Sequence, residues 1–247
     1  MTDDDEVRLP GGNVGGAVLV GGTVRRPTGP WTPAVHALLG HLGARIPNVP
    51  QVLGHDEHGR EMLSYLPGRV VDIDSETLSI GQLDSLVSWT RAFHGAVADF
   101  SDPGPWRFFP VDGASLIGHN DIAPYNVCFE GDQLVGVFDW DLSGPSTPLF
   151  ELAFIAWNCV PLWRDIEPET AAERLRVIAA AYGPFTAGQI LHAVPPRIQT
   201  MLDGIPVAAA AGDPGMVNLM TAGEPERSRA TLTGLIERIP VLDRQLR

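Results

Sequence analysis

The 247-residue sequence predicts an α+β fold in two unequal lobes, a small antiparallel sheet with one helix followed by a larger, mainly helical part. Three observations carry this. Short apolar runs alternate with glycine turns early in the chain. A Leu66-Pro67-Gly68 break then interrupts the pattern. Beyond it, apolar residues recur at helical spacing over long stretches. The boundary is placed there, dividing residues 1–66 from 67–247.

The elements follow in order. Asp3-Asp4-Asp5-Glu6 reads as a solvated end. In LPGGNVGGAVLVGGTVRRP, a glycine-rich turn precedes a strand over 17–20, a Gly21-Gly22 turn and a strand over Thr23–Arg26. This is a hairpin signal, because such turns need positive φ. Pro27 ends the strand. Thr32 before Pro33 reads as an N-cap, Val35, Leu38, Leu39 and Leu42 recur on one helix face, and Gly43 closes the helix. Strands over 51–55 and 61–65 flank the polar turn DEHGR. Leu83, Leu86, Val87, Thr90, Phe93 and Val97 form the stripe of a second helix. A Pro- and Gly-rich loop leads to strands over 126–130 and 133–138, turned by Gly131-Asp132. Helices are predicted over 149–157, 168–182, 187–202 and 225–238.

Composition narrows the class of partner. Lys+Arg 17 against Asp+Glu 30 gives a net charge of −13, which argues against a general nucleic-acid binder and fits cationic or small partners. Cys128 and Cys159 lie far apart, so neither a disulfide framework nor a thiolate zinc site is expected. The acidic beginning is unlike a signal peptide, and no apolar run approaches the roughly 18 residues of a membrane span. A soluble, cytoplasmic, monomeric protein with no membrane partner is expected.

The chemistry is concentrated in His119-Asn120-Asp121-Ile122-Ala123-Pro124-Tyr125-Asn126 and, after the hairpin, Asp139. H-x-D-x-x-x-x-N followed by a distal Asp matches the catalytic and metal-binding loops of kinases. Phosphoryl transfer needs a carboxylate to accept the acceptor hydroxyl's proton, here Asp121. It needs hard oxygen ligands for Mg²⁺, here Asn126 and Asp139, which the hairpin brings together. His119 is expected to hold the loop by hydrogen bonds. Taken singly, the same residues also suit turns and caps. A metal-dependent hydrolase would need further ligands at metal spacing, and the sequence has none.

HNDIAPYN, VFDWD and the following GPSTPLFELA resemble the aminoglycoside phosphotransferase/choline kinase-like superfamily, small-molecule kinases with a protein-kinase-like fold. A looser likeness runs over the whole chain. The resemblance implies that Gly12, Asn13 and Gly15 belong to a loop covering the phosphates of ATP or GTP. It also implies a cation on the next strand, where this sequence offers Arg25 and Arg26 but no lysine. Alternation puts the two on opposite faces, and spacing to Pro27 favours Arg25. The helical acid that pairs with this cation in the family is missing, and His36 is the polar residue nearest its place. That gap motivates an alternative, a nucleotide-binding pseudokinase or regulatory protein without turnover.

MLSYLPG resembles the hinge that holds the purine by backbone hydrogen bonds, around Ser64 and Leu66. Trp140 and Asp141 are candidates to line the acceptor cleft, Asp141 equally a support for Asp139 or the start of a loop. Glu151 stands where the family has an acid supporting the catalytic loop. Asp165, Glu167 and Glu169 open a helix, where acids offset the macrodipole; amine binding is the second reading. The implied reaction moves the γ-phosphoryl of ATP or GTP to a hydroxyl of a small molecule, an aminoglycoside or another amino-alcohol or sugar.

Overall fold

A computed structural model describes residues 6–9, 16–101 and 104–247. Strands β1 (Val7–Arg8), β2 (Val18–Val20), β3 (Thr23–Arg26), β4 (Val52–His55) and β5 (Glu61–Ser64) form one antiparallel sheet in the order β1-β2-β3-β5-β4. Gly21 and Gly22 turn the β2–β3 hairpin at φ 55° and 80°, which side chains disfavour. Helix α1 (Thr32–Gly43) connects β3 to β4 and buries Val35, Leu38, Leu39 and Leu42. It starts one residue earlier than its cap pattern predicts. Trp31 is the N-cap, and the Thr32 hydroxyl instead accepts the Gly29 N–H at 2.9 Å.

The chain then becomes helical. Ser79 and Gln82 close a capping box at the start of α2 (Ile80–Ala96). Its predicted stripe is buried, with Leu83, Leu86, Val87, Thr90 and Phe93 all at 0 % exposure. Five further helices follow: α3 (Pro148–Cys159), α4 (Pro168–Tyr182), α5 (Ala187–Ala210), α6 (Pro214–Thr221) and α7 (Glu224–Leu246). α3 packs on α5, α2 on α4, and α7 across α4 and α5. Among the described residues no single helix is long and apolar enough to cross a membrane.

Two helices outrun their predicted ends. α5 continues past Leu202 to Ala210 although it contains Pro195, Pro196 and Pro206, and α7 passes Pro240 to reach Leu246. Each proline removes a backbone donor, a local cost. On α5 the buried face formed by Ile190, Leu191, Val194, Ile198, Leu202 and Ile205 outweighs it, since packing supplies most helical stability. α6 is absent from the predicted set, although Asp213 caps it through the Met216 N–H at 3.1 Å and Pro214 opens it.

Two small ribbons frame the loop at 119–126. β7 (Val127–Glu130) and β8 (Gln133–Val137) form the expected hairpin, turned by Gly131 at φ 59°. β6 (Leu116–Gly118) pairs with β9 (Gly144–Ser146). This second pairing was not expected: three residues on each side carry little periodic signal.

Candidate active site

The loop between β6 and β7 is held from beneath by buried polar bonds. His119 is fully buried, and its Nδ1 accepts the Asp121 N–H at 3.2 Å while Nε2 donates to the Phe138 carbonyl at 3.1 Å. Those bonds fix one neutral tautomer. Burial also pushes the His119 pKa down, so the ring stays uncharged. The expected bracing role of His119 is what the structure shows.

Asn120 stands at φ 63° and Asp139 at φ 59°, two of the three non-glycine residues at positive φ among those described. Such residues cost roughly 1–2 kcal/mol each and persist where surroundings over-determine them. For Asn120 the surroundings are plain. Its Nδ2 donates to the Leu142 and Gly144 carbonyls at 3.2 and 3.1 Å, and its own carbonyl accepts Arg197 Nη2 at 2.7 Å. Its N–H donates to Glu151 Oε1.

Glu151 in turn accepts His94 Nε2 at 2.8 Å, and His94 Nδ1 accepts the Tyr182 hydroxyl at 2.8 Å. Burial alone would raise the Glu151 carboxyl, but His94 and the Asn120 N–H more than offset it and hold it below its usual 4.5. A carboxylate with a lowered folded pKa stabilises above its unfolded pKa and loses that contribution as pH falls through the folded one. Glu151→Gln is therefore expected to cost about 2 kcal/mol at neutral pH, the worth of hydrogen bonds to a charged group. In paired denaturant titrations the gap between variant and parent should narrow as pH falls below about 4.5. A gap that stays constant into acid would contradict this role for the carboxylate.

Asp121 faces the opposite way. Asn126 Nδ2 donates to its Oδ2 at 2.8 Å and to its carbonyl at 3.0 Å, and the Tyr125 hydroxyl donates to Oδ1 at 3.3 Å. Burial, then the charge of Asp139, pushes the Asp121 carboxyl up to about 8, against the pull of Arg197, Asn126 and Tyr125. The Phe138 N–H donates to the Asn126 carbonyl at 3.0 Å, and Val127 pairs with Val137. The β7–β8 hairpin thus returns the chain so that Asp139 follows directly on a residue bonded to Asn126.

Asp121, Asn126 and Asp139 all line one cavity of about 1020 Å³ between the sheet and the helices. With Nδ2 spent on Asp121, Asn126 Oδ1 has no hydrogen-bond partner among the described residues, and neither does Asp139 Oδ2. Two hard oxygen donors fit Mg²⁺ that arrives with phosphate and water ligands. They do not make a site for an ion alone, and among the described residues no three His, Cys, Asp or Glu side chains gather to form one.

The cation on β3 corrects the sequence reading. Arg26, not Arg25, enters the cavity. Its Nε donates to Glu61 Oε1 at 2.6 Å, Nη1 to Asp139 Oδ1 at 3.1 Å and Nη2 to Asp141 Oδ1. Burial opposes this charge, but Asp141, Asp139 and Glu61 together raise the Arg26 pKa. Arg25 points to the other face, with Asp56 at 3.8 Å. The partner acid also lies elsewhere than expected. Glu61 sits on β5 in register with Arg26, and His36 of α1 reaches its Oε2 at 2.7 Å. An acid from the neighbouring strand thus partners Arg26, while α1 itself carries none.

The other expected positions divide. The Ser64 N–H bonds to the Gln51 carbonyl at 2.9 Å and is not free for a purine, whereas the Leu66 N–H has no partner among the described residues. Both residues line the cavity, as does Tyr65. Gly12, Asn13 and Gly15 lie outside the described residues. Leu9 and Ala17, which flank that segment, line the cavity and share an N–H to carbonyl bond of 3.0 Å.

Trp140 does not line an acceptor cleft. It is 1 % exposed, with Phe93 at 5.4 Å and His119 at 4.6 Å between ring centroids. Asp141 accepts from Arg26 and from Arg107 Nη1 at 3.5 Å, and Arg107 also grips Asp213 through two bonds of 2.7 Å. Asp165, Glu167 and Glu169 lie outside the cavity lining. Arg197 and Glu61 are the site residues that the sequence reading missed.

Comparison with known proteins bears on the family and the fold. The profile of the phosphotransferase enzyme family matches residues 105–190. The trifolitoxin immunity protein of Rhizobium leguminosarum bv. trifolii is 32 % identical over 197 residues, 73 % of this chain and 75 % of that protein. Among solved structures, an amicoumacin kinase in complex with AMP-PNP, Ca²⁺ and amicoumacin superposes with TM-score 0.63 at 12 % identity, over 96 % of this chain and 88 % of that one. The GDP complex of an aminoglycoside 2′-phosphotransferase gives 0.62 at 14 % identity, over 93 % of each chain. A macrolide 2′-phosphotransferase from Brachybacterium faecium gives 0.52 at 16 % identity, over 89 % and 87 %. At these identities the structures speak to the fold alone.

Proposed function

The chain belongs to the phosphotransferase enzyme family, and from that premise we propose that it transfers the γ-phosphoryl group of ATP or GTP to a hydroxyl of a small molecule. The observation that carries the reading is the meeting of Asp121, Asn126 and Asp139 on one cavity wall beneath Arg26. The names of the relatives, an immunity protein and antibiotic kinases, support an acceptor that is toxic to the cell before modification.

Each residue has a task in that reaction. Asp121, oriented by Asn126 and Tyr125, receives the hydroxyl proton as the acceptor oxygen bonds to the γ-phosphorus and the bond to the leaving nucleoside diphosphate breaks. Asn126 Oδ1 and Asp139 would hold Mg²⁺, which when bound neutralises phosphate charge. Arg26, held through Nε by Glu61, through Nη1 by Asp139 and through Nη2 by Asp141, fixes a positive charge beside the metal-binding carboxylate, where it would attract the phosphates. The Leu66 N–H is the hinge donor for the purine. Because that donor is backbone, it favours neither ATP nor GTP.

The test is transfer from Mg-ATP and Mg-GTP to a panel of hydroxylated acceptors, with calorimetry of nucleotide binding. Asp139→Ala should weaken Mg-nucleotide binding by at least the roughly 10- to 100-fold that loss of a ligand-supporting group costs. Unchanged affinity in that variant would remove Asp139 from the metal site.

A further inference from the structure

We propose that the acceptor is an alcohol with a large apolar body and at most one positive charge, not a polycationic aminocyclitol. This inference rests on the phosphotransferase reading and specifies its second substrate.

From Asp121 the cavity runs into the helical lobe, where Phe109, Phe154, Trp157, Trp163, Met201 and Met216 line it. That wall suits hydrocarbon and ring surface, and it offers little to hydrated ammonium groups, which lose water on entering. The net charge of −13 is not focused there. Among the described lining residues the carboxylates are Asp74, Asp121, Asp139 and Glu224, against Arg26, Arg197 and Arg227. Asp121 and Asp139 are committed to the reaction. Glu224 is committed to Arg227 at 2.6 Å and to the Ser228 hydroxyl at 2.8 Å. Asp74 alone remains for an amine, whereas an acceptor with several ammonium groups needs several acids.

Arg197 strengthens the exclusion. It lines the same cavity, is 1 % exposed, and lies beneath the loop that carries Asp121. Its guanidinium carbon is 4.3 to 4.9 Å from the ring centres of Phe154, Phe150 and Phe108. Its Nε and Nη1 have no hydrogen-bond partner among the described residues. Its charge is drawn to the Asp121 and Glu151 carboxylates, but neither hydrogen-bonds to it among the described residues, and a fixed guanidinium among aromatic faces adds no site for a further cation where the acceptor hydroxyl must come.

The width of this pocket is set by Gly204 on α5. A Cβ there would come within 2.4 Å of Phe109 Cγ, so the ring lies against bare helix backbone. Gly204→Ala forces that ring away from the helix and alters the pocket without touching Asp121, Asn126, Asp139 or Arg26.

The full-length chain is assayed with Mg-ATP and Mg-GTP against two sets of acceptors: erythromycin and other hydroxylated macrolactones, sterols and aryl alcohols, and the aminocyclitols kanamycin and gentamicin. Binding is followed by calorimetry with Mg-AMP-PNP present. The expected result is binding and phosphorylation within the apolar set, with the negative heat-capacity change of apolar burial and little dependence on salt. Met201→Glu and Gly204→Ala should each raise acceptor KM about tenfold, the worth of one buried apolar side chain, with nucleotide affinity unchanged and folding verified by melting. Preferred phosphorylation of aminocyclitols, or nucleotide binding with no apolar alcohol bound, overturns the acceptor proposal alone. Failure to bind any Mg-nucleotide overturns the phosphotransferase reading beneath it.

Discussion

Asp121→Asn is expected to stop phosphoryl transfer and leave Mg-nucleotide binding intact. Asparagine is close to isosteric with aspartate and keeps an oxygen to accept the Asn126 amide, whose bond to Asp121 Oδ2 is 2.8 Å. It loses the capacity to take up a proton. A positioned general base contributes about 10²- to 10⁴-fold, so kcat should fall by that factor. The metal oxygens on Asn126 and Asp139 are untouched, so calorimetry should return the parental nucleotide affinity. Burial and Asp139 raise the Asp121 carboxyl to about 8, close to the range in which a base works near neutral pH. Parental turnover in the variant would refute the assignment.

What the sequence revealed of this site, and what it concealed, follows from how far each signal travels along the chain. The HNDIAPYN loop, the β7–β8 hairpin and Asp139 are contiguous, and turn chemistry at Gly131 was enough to predict that the ends meet. Glu61 escaped notice because its importance arises from strand pairing: it opposes Arg26 only once β3 and β5 are in register. The choice between Arg25 and Arg26 did have a local signal. Arg26 shares a face with Val24, which also lines the cavity, whereas Arg25 shares the other face with Thr23. Spacing to Pro27 carried no information about which face of the sheet turns inward. Trp140 was misplaced for the opposite reason. Its neighbours in sequence are polar site residues, but a left-handed turn at Asp139 rotates the indole into the core, where its Nε1 bonds to the Val137 carbonyl at 3.0 Å. The helix predicted over 187–202 already contains Pro195 and Pro196, and α5 continues through Pro206 to Ala210 because its buried face extends to Ile205. Arg197 follows Pro195 and Pro196 inside α5, and its bond to the Asn120 carbonyl joins residues 77 apart in the chain, so no local pattern marks it.

Arg26→Ala and Arg25→Ala, adjacent residues with the same chemistry, are expected to differ sharply. Removing Arg26 leaves Glu61, 2 % exposed in its side chain, with His36 as its remaining partner, and takes the shared cation from Asp139 and Asp141. Breaking a buried ion pair from one side costs about 3–5 kcal/mol, so a large drop in unfolding free energy should appear in denaturant titration. Activity should be lost with it, because no lysine stands on β3 to replace the phosphate contact. Arg25 faces Asp56 at 3.8 Å with its side chain 23 % exposed, and Asp56 keeps Arg60 at 2.7 Å when Arg25 is gone. Partly exposed pairs of this kind contribute about 1 kcal/mol or less, so Arg25→Ala should fold and turn over much as the parent does. Arg26→Lys separates the two consequences of the first substitution. It keeps the charge that the carboxylates need, and so most of the stability. It loses the fork that joins Glu61 on one side to Asp139 and Asp141 on the other, so the charge is no longer fixed beside the phosphate site and KM for the nucleotide should rise while the melting transition moves little. Equal losses from Arg25→Ala and Arg26→Ala would mean that the inward face of β3 has been assigned wrongly.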